Sequence, residues 1–184
     1  MALTKTPICD FGKKAEDFKL KSTDNKIISL NDIKGEKGTL LMFICNHCPY
    51  VKAIVKDLVK DVKSLKALEI NAVAIMSNDT INYPDDSFDK MKEFAKDNNF
   101  SFPYLIDETQ EVAKKYGAVC TPDFFGYNGK NELQYRGRMR ELRDLKPVNN
   151  DKSDLFKAMK QISETQKGPE NQTPSMGCNI KWFK

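Results

Sequence analysis

The feature that most constrains this chain is a Cys-Asn-His-Cys motif, residues 45–48, placed between an apolar run and an amphipathic segment. Residues 40–44 are all apolar, as is typical of a central strand buried on both faces. From Pro49 to about Leu68, apolar residues recur at helical spacing, and residues 70–76 form a second apolar run. A strand, a helix and a strand in this order predict a right-handed βαβ unit with parallel strands. The motif lies at the first turn of that unit.

This position of Cys45 and Cys48 favours redox chemistry. Unpaired N–H groups and the positive end of the dipole at a helix N-terminus stabilise a thiolate, and the CxxC spacing brings both sulfurs into the first turn. His47, the single histidine, adds a positive charge beside the thiolate when it is protonated. A lone CxxC is also half of many zinc sites. At a strand-to-helix junction within a βαβ unit, it is much more specific for thiol–disulfide exchange.

Pro49 leaves open which cysteine attacks first. If Pro49 opens the helix, Cys48 is the capping residue and gains most from the helix dipole. If the helix starts at Cys45, the outer cysteine is the more acidic one. Both assignments remain open at the level of sequence.

The rest of the pattern predicts a single α/β domain with two appended ends. Residues 18–20 and 27–30 flank a turn-rich cluster and predict a hairpin, and Asn128-Gly129 predicts a second hairpin between strands at 123–127 and 132–135. Further elements are predicted as a helix after Ser87, a strand within 101–106, a helix at 108–116 ended by Gly117, and a helix at 155–162. We therefore expect an N-terminal arm at residues 1–15, a domain at 16–166 and a docking C-terminal tail at 167–184.

Thr121-Pro122 stands at the start of a predicted strand. Proline cannot donate a hydrogen bond to a strand ladder, so it belongs at the first residue of a strand. In a chain that also carries a CxxC motif, we expect the Thr121–Pro122 bond to be cis.

The order of the predicted strands, helices and motifs along the chain resembles that of the thioredoxin fold in its peroxiredoxin-like version. The closer similarity is to the bacterial thioredoxin-family group related to alkyl hydroperoxide reductase/thiol-specific antioxidant proteins. The matching segments span nearly the whole chain and are residues 43–51, 77–79, 83–87, 117–125, 135–138 and 174–182. The resemblance implies a central mixed β-sheet flanked by helices, with an N-terminal β-hairpin and a C-terminal tail. It also implies that the cis bond before Pro122 lies against the disulfide and presents a backbone edge to a substrate.

The motif departs from both branches of that family. Cys48, followed by Pro49, aligns with the peroxidatic cysteine of true peroxiredoxins. Those enzymes place Thr or Ser three residues before that cysteine and Pro four residues earlier still, where this chain has Cys45 and Leu41. Cys45 matches the attacking cysteine of thioredoxins, but Asn46-His47 replaces their glycine-proline insert. The missing hydroxyl argues against efficient peroxide reduction.

The remaining cysteines are accessory candidates, together with Thr121 and Asn46. Cys120 either resolves a mixed disulfide or is a small buried residue that lines the site. Cys178 resembles the C-terminal resolving cysteine of some peroxiredoxins, but we expect its segment to dock through Ile180 and Trp182 without reacting. Cys9 is interpreted as an arm residue without function.

The charges predict solvated surface rather than a polyanion site. Lys and Arg number 30 against 26 Asp and Glu, and their even scatter argues against a nucleic-acid partner. The basic cluster from Arg136 to Arg143 and the acidic loop at 79–86 are both interpreted as solvated faces. No run approaches the roughly 20 apolar residues of a membrane helix, so no membrane partner is expected. Because residues 1–7 lack the apolar core of a secretory signal, we expect a cytoplasmic location.

The sequence therefore predicts a thiol–disulfide oxidoreductase that uses Cys45, Cys48, His47 and Pro122 without a cofactor or metal. One thiolate attacks a protein disulfide or a sulfenic acid, the second cysteine resolves the mixed disulfide, and an external thiol reductant such as a thioredoxin system reopens the pair. One alternative is a weak thiol peroxidase that takes a peroxide substrate at Cys48 and resolves through Cys45. Another is a metal-binding module with Cys45, His47, Cys48 and Cys120 as ligands.

Overall fold

The computed structural model describes residues 3–184. Its strands are β1 (Leu3–Lys5), β2 (Lys19–Ser22), β3 (Ile27–Ser29), β4 (Gly38–Phe43), β5 (Ile70–Met76), β6 (Tyr104–Ile106), β7 (Cys120–Thr121), β8 (Asp123–Asn128), β9 (Leu133–Tyr135), β10 (Leu142–Arg143), β11 (Lys146–Pro147) and β12 (Met176–Asn179). Its helices are α1 (Leu30–Ile33), α2 (Pro49–Lys66), α3 (Phe88–Asp97), α4 (Glu111–Tyr116) and α5 (Asp154–Thr165), with a short 3-10 helix at Pro84–Asp86.

The apolar runs on either side of α2 form the centre of a seven-stranded sheet, as predicted. β4 pairs in parallel with β5 on one side and antiparallel with β8 on the other. The strand order is β3-β2-β6-β5-β4-β8-β9, so the sheet is mixed. Both predicted hairpins, β2–β3 and β8–β9, are present and antiparallel. The strand-to-helix junction therefore lies in the middle of the sheet.

Two hydrophobic layers cover the sheet, and the alternation of side chains along β4 assigns residues to each. Leu40 and Met42 pack in the cluster with α2, α3 and α5, whereas Leu41 and Phe43 pack in the cluster with α1 and α4. All six residues of β4 are buried. Full burial of one such side chain contributes about 1.5–3 kcal/mol to folding. The strand that ends at the CxxC motif is thereby fixed on both faces.

The two ends of the chain pair with each other in a second, three-stranded sheet of order β1-β12-β7. β12 lies antiparallel to β7 and aligns Cys178 with Thr121. Strands of two to four residues are too short to show alternation, so the sequence pattern predicted neither β1 nor β12. Ile180 is buried as expected, but Trp182 is 37% exposed, so its predicted role as a docking anchor is wrong.

The interpretation of the basic cluster as one solvated face is wrong for Arg136. Its Nη2 lies 3.0 Å from the buried Oδ2 of Asp123 and donates to the Gly117 carbonyl at 2.7 Å. Its guanidinium also lies 4.4 Å from the centroid of the Phe125 ring. The partner acid comes from β8, which the tertiary fold brings near, and not from the acids that neighbour Arg136 in sequence.

Among the described residues, no helix combines the length and the apolar character that crossing a bilayer requires.

Candidate active site

Helix α2 begins at Pro49, and Cys48 is its N-cap residue. Proline suits the first helical position because its missing N–H would have had no intrahelical partner. The Cys48 carbonyl accepts the first helical hydrogen bond, from the Lys52 N–H at 3.0 Å. Of the two assignments left open by sequence, the structure favours the one in which Cys48 lies at the positive end of the dipole. Cys45 lies in the preceding loop.

Three thiols meet at this helix end. The Sγ of Cys48 lies 3.2 Å from the Sγ of Cys178 and also makes a hydrogen bond with the thiol of Cys45. The Sγ of Cys45 lies 3.3 Å from Thr121 Oγ1, and the Sγ of Cys48 lies 3.1 Å from the Thr121 carbonyl oxygen. All three cysteines are free and buried. Sequence reasoning brought Cys45 and Cys48 together, and the tertiary fold adds Cys178.

The surroundings of Cys48 favour its thiolate. The hydrogen bond from the Cys45 thiol, helped by those from Val51 N–H and Cys178, outweighs burial and lowers the pKa of Cys48 to about 5. The Thr121 carbonyl favours the protonated form, but these donors outnumber it. For Cys45, the same hydrogen bond, together with burial and the charge of Asp86, raises the pKa well above its ordinary value. This contrast favours a thiolate at Cys48 and a protonated thiol at Cys45.

We expect the ultraviolet absorbance of the thiolate in the reduced protein to titrate with a midpoint near pH 5, because Cys48 carries the lowered pKa. Cys45→Ala removes the strongest donor and should shift this midpoint upward. A Cys48→Ala sample provides the matched blank. A wild-type midpoint that stays near the ordinary thiol value of 9.0 would contradict this assignment.

Asp86 holds the CxxC loop in place through hydrogen bonds from the backbone and side chains of that loop. Its Oδ1 accepts the Asn46 backbone N–H at 2.8 Å, and its Oδ2 lies 2.7 Å from His47 Nδ1 and 2.8 Å from Asn78 Nδ2. Asp79 and Asp86 are both buried, so the interpretation of this acidic loop as a solvated flank is wrong at its first and last residues. The 3-10 helix at 84–86 points Asp86 inward, while its neighbour Asp85 stays exposed.

His47 and Asp86 form a hydrogen-bonded pair, which is an ion pair when the imidazole is protonated. Burial opposes ionisation of Asp86, but hydrogen bonds from His47 and Asn78 outweigh it and lower the pKa of the carboxyl group. The hydrogen bond to Asp86 raises the pKa of His47 against its burial, and the Cys48 thiolate adds a smaller attraction. The imidazole also stacks on Tyr83, with ring centroids 5.8 Å apart. The charge of His47 is thus shared with a carboxylate instead of acting on the thiolate alone.

A metal site at this position would use a different ligand set from the one predicted. Candidate ligand atoms of Cys45, His47 and Asp86 lie within 4.8 Å of one another. Cys48 and Cys120, the other predicted ligands, are not in this group. The His47–Asp86 hydrogen bond already accounts for the proximity of two of the three residues.

The other predicted site residues lie around the thiols of Cys45, Cys48 and Cys178. The Thr121–Pro122 bond is cis, as expected, and both Thr121 oxygens face the cysteines. Cys120 is buried, its thiol lies 3.6 Å from the Pro122 carbonyl oxygen, and burial raises its pKa. Asn46 donates from Nδ2 to the Asp85 carbonyl at 3.0 Å. Cys120 is therefore oriented toward Pro122, whereas Asn46 fixes the loop.

Sequence reasoning missed three polar residues behind the motif. The Tyr104 hydroxyl donates to Asn46 Oδ1 at 3.0 Å, and Asn78 and Asp86 complete the network around His47. Asn78 and Asp86 both follow the carboxyl end of β5, next to the end of β4. Because ligands and functional groups collect at the carboxyl ends of neighbouring parallel strands, this position was an available signal.

A cavity of about 300 Å³ lies beside Pro122. Its apolar lining includes Tyr50, Ile54 and Met139, and its basic lining includes Arg138 and Arg140. The cavity adjoins the cis-proline and the first turn of α2.

Among curated proteins, the chain is similar to bacterial thiol-disulfide oxidoreductases. It is 30% identical to thiol-disulfide oxidoreductase ResA of Bacillus thuringiensis subsp. konkukian (strain 97-27) over 125 residues, 66% of each chain. It is 27% identical to sporulation thiol-disulfide oxidoreductase A of Bacillus subtilis (strain 168) over 117 residues, 64% of this chain and 67% of that protein. The chain thus spans about two thirds of the length of these relatives.

Solved structures extend the similarity over the full length. An uncharacterized conserved protein from Geobacillus kaustophilus has a TM-score of 0.92 and 39% identity, covering 100% of this chain and 97% of its own. A hypothetical protein from Sinorhizobium meliloti 1021 has a TM-score of 0.90 and 34% identity, covering 98% of both chains. Peroxidoxin BcpB from Mycobacterium tuberculosis shares the fold alone, with a TM-score of 0.57, 18% identity, and coverage of 69% of this chain and 83% of its own.

The AhpC/TSA family profile matches residues 11–140. That range contains the central sheet, the CxxC motif at the N-terminus of α2 and the cis bond before Pro122. Since the match covers more than half of the chain and includes both cysteines of the CxxC motif, this protein belongs to the AhpC/TSA family.

Proposed function

We propose that this protein is a thiol–disulfide oxidoreductase in which Cys48 attacks and Cys45 resolves. The observation that carries the proposal is the thiol pair at the N-terminus of α2, where Cys45 donates to a Cys48 whose pKa is lowered to about 5. A thiolate that is stable at neutral pH is both a ready nucleophile and a good leaving group. The curated relatives, which are thiol-disulfide oxidoreductases, agree with this chemistry.

In the reductase direction, the Cys48 thiolate attacks one sulfur of a substrate disulfide. The substrate S–S bond breaks, one substrate sulfur leaves as a thiolate, and the other is joined to Cys48. Cys45 then loses its proton and attacks the Cys48 sulfur, and the second substrate thiolate leaves and is protonated. The substrate gains two electrons, and the protein is left with a Cys45–Cys48 disulfide that an external thiol must reopen.

Protein disulfides are the proposed substrates, and a thioredoxin system is the proposed reductant. The cavity beside Pro122 combines apolar walls with Arg138 and Arg140, which favours substrates with apolar and acidic groups next to the disulfide. We also propose a cytoplasmic location, since a reducing compartment would keep the pair available as a donor of electrons.

Peroxide reduction is the competing function, because a Cys48 thiolate would also suit attack on a peroxide oxygen. Residue 45 lacks the hydroxyl that peroxiredoxins use, but the Thr121 hydroxyl lies 3.3 Å from the Cys45 sulfur. This hydroxyl contacts the resolving cysteine rather than Cys48, so we give priority to disulfide exchange.

Stopped-flow kinetics should separate the two functions. We expect the reduced protein to react rapidly with a protein disulfide such as insulin, and to consume hydrogen peroxide no faster than a simple thiol of similar pKa. A variant that lacks both Cys45 and Cys178 tests the peroxide branch, since its Cys48 sulfenic acid would have neither neighbouring thiol to react with and could be captured with dimedone. Rapid sulfenic acid formation in this variant, with no insulin reduction by the wild type, would replace our proposal with the peroxidase.

A further inference from the structure

We infer that Cys178 is a third redox-active thiol, which forms an internal disulfide with Cys48. The inference rests on the proposed function, because the step begins from a Cys48 that has already attacked a substrate. It adds a second resolving cysteine, carried by the C-terminal strand, to the Cys45–Cys48 pair.

The C-terminal strand carries Cys178 to the N-terminus of α2. β12 pairs antiparallel with β7, and Cys178 aligns with Thr121, whose carbonyl oxygen contacts the Cys48 sulfur. This register leaves the two sulfur atoms 3.2 Å apart. The pairing therefore brings together two cysteines that are 130 residues apart in sequence.

Close packing and hydrogen bonds hold this strand against β7 and the cis-proline. A Cβ added at Gly177 would lie 2.0 Å from the Thr121 carbonyl oxygen, so only glycine permits this approach. The Ser175 hydroxyl donates to the Pro122 carbonyl at 2.8 Å, and its backbone N–H donates to Thr6 Oγ1 at 3.0 Å. β1 covers the other edge of β12. Cys178 is therefore fixed at Cys48 by bonds on both sides.

The charge of Cys48 also controls the acidity of Cys178. Burial and the hydrogen bond to the Cys48 thiolate raise the pKa of Cys178 to about 12 in the reduced protein. Once Cys48 has formed a disulfide with a substrate, its negative charge and its acceptor role are gone, while the Lys181 charge that lowers the Cys178 pKa remains. Cys178 therefore becomes more acidic at the stage at which a resolving thiolate is needed.

The step balances without any further oxidant. In the mixed disulfide, Cys178 loses its proton and attacks the Cys48 sulfur. The bond between Cys48 and the substrate breaks, and the substrate sulfur leaves with the electron pair and takes up a proton. The products are a Cys48–Cys178 disulfide and a reduced substrate, and the substrate disulfide is the oxidant that was consumed.

Release of thionitrobenzoate from one equivalent of the aromatic disulfide 5,5′-dithiobis(2-nitrobenzoate) tests this step. All proteins carry Cys9→Ser, because Cys9 is partly exposed and would add background. With Cys45→Ala we expect two thionitrobenzoates per reagent, the second from attack by Cys178. With Cys45→Ala and Cys178→Ala together we expect one, and a stable mixed disulfide. With Cys45→Ala and Cys120→Ala together, the matched control for a buried cysteine, we expect two.

Each other outcome has a defined meaning. One thionitrobenzoate from the Cys45→Ala protein overturns the role of Cys178 but leaves Cys48 as the nucleophile. Two from the protein that also lacks Cys178 would assign the second step elsewhere and likewise overturn it. None from the Cys45→Ala protein would overturn both this inference and the proposed function. Circular dichroism of each variant checks that it is folded.

Peptide mapping of the wild-type protein provides a test that needs no variant. Trypsin leaves Cys45 and Cys48 on one peptide, residues 38–52, and Cys178 on another, residues 168–181. A Cys45–Cys48 disulfide is therefore internal to one peptide, whereas a Cys48–Cys178 disulfide joins two. After limited oxidation with glutathione disulfide and acid quenching, we expect the joined pair in a measurable fraction of molecules. Its absence at every degree of oxidation would contradict the inference.

Discussion

Replacing Cys48 with alanine is expected to slow disulfide exchange by at least about 1,000-fold, or about 4 kcal/mol of activation free energy. The reason is that Cys48 is the N-cap of α2 and carries the thiolate, whereas burial and the hydrogen bond to Cys48 keep Cys45 protonated. The measurement is the second-order rate of release of the first thiol from a disulfide substrate.

Two cysteine variants provide controls for this result. Cys45→Ala should keep the first attack, since it leaves the helix N-terminus and Cys178 in place. Cys120→Ala should stay near the wild-type rate, because its thiol faces the Pro122 carbonyl. If Cys45→Ala abolished the first attack while Cys48→Ala retained it, the outer cysteine would be the nucleophile and our assignment would be wrong.

Asp86→Ala is expected to lower the free energy of unfolding by about 3–5 kcal/mol. The change leaves the buried Asn46 N–H and the Asn78 amide without their acceptor and removes the partner of His47. Asp85→Ala is the matched control, since Asp85 is the preceding residue but is exposed, and should change stability by no more than about 0.5 kcal/mol. Urea denaturation of the reduced proteins measures both. If both variants lowered the free energy of unfolding by the same small amount, the result would contradict the buried network around Asp86.

Because His47 and Asp86 both titrate, the stability that is lost when Asp86 is replaced with asparagine should depend on pH. The pKa of His47 is raised in the folded protein. The stability that protonated His47 contributes is therefore complete below pH 6.5 and is lost as the pH rises through the pKa of the folded state. The pKa of Asp86 is lowered in the folded protein. The stability that ionised Asp86 contributes is therefore present above pH 3.8 and is lost as the pH falls through the pKa of the folded state. The difference in the free energy of unfolding between the wild type and Asp86→Asn should therefore be largest between pH 3.8 and pH 6.5, and should become smaller above pH 6.5. An advantage that grows with pH above 6.5 would contradict the ion pair.

The central fold was predictable from sequence because its elements are long or strongly patterned. β4, β5 and α2 carry unbroken apolar runs or a helical repeat, and Gly117 and Asn128-Gly129 mark the ends of shorter elements. The position of Cys45 and Cys48 at the junction followed from these patterns. The sequence did not predict which of the two cysteines is the nucleophile. That choice depends on the residue at which the helix begins, and the apolar pattern does not determine a helix end to within one residue.

The other parts of the site depend on contacts between distant segments, which local patterns do not encode. Cys178 reaches Cys48 only because a four-residue strand pairs with a two-residue one, and neither is long enough to show alternation. Asp86 and Arg136 were assigned to solvated clusters from their charged neighbours in sequence. Both are buried because the fold supplies partners, His47 and Asp123, from other elements.

The most direct test of the account is a redox titration of the wild-type protein in thiol–disulfide buffers. Free thiols are alkylated after acid quenching and unfolding, and each cysteine is then scored by mass spectrometry. We predict that Cys48 loses its free thiol in a two-electron step, with Cys45 or Cys178 as the disulfide partner, while Cys120 stays free. A Cys48 that remains alkylated throughout, in a protein that stays folded, would contradict the account.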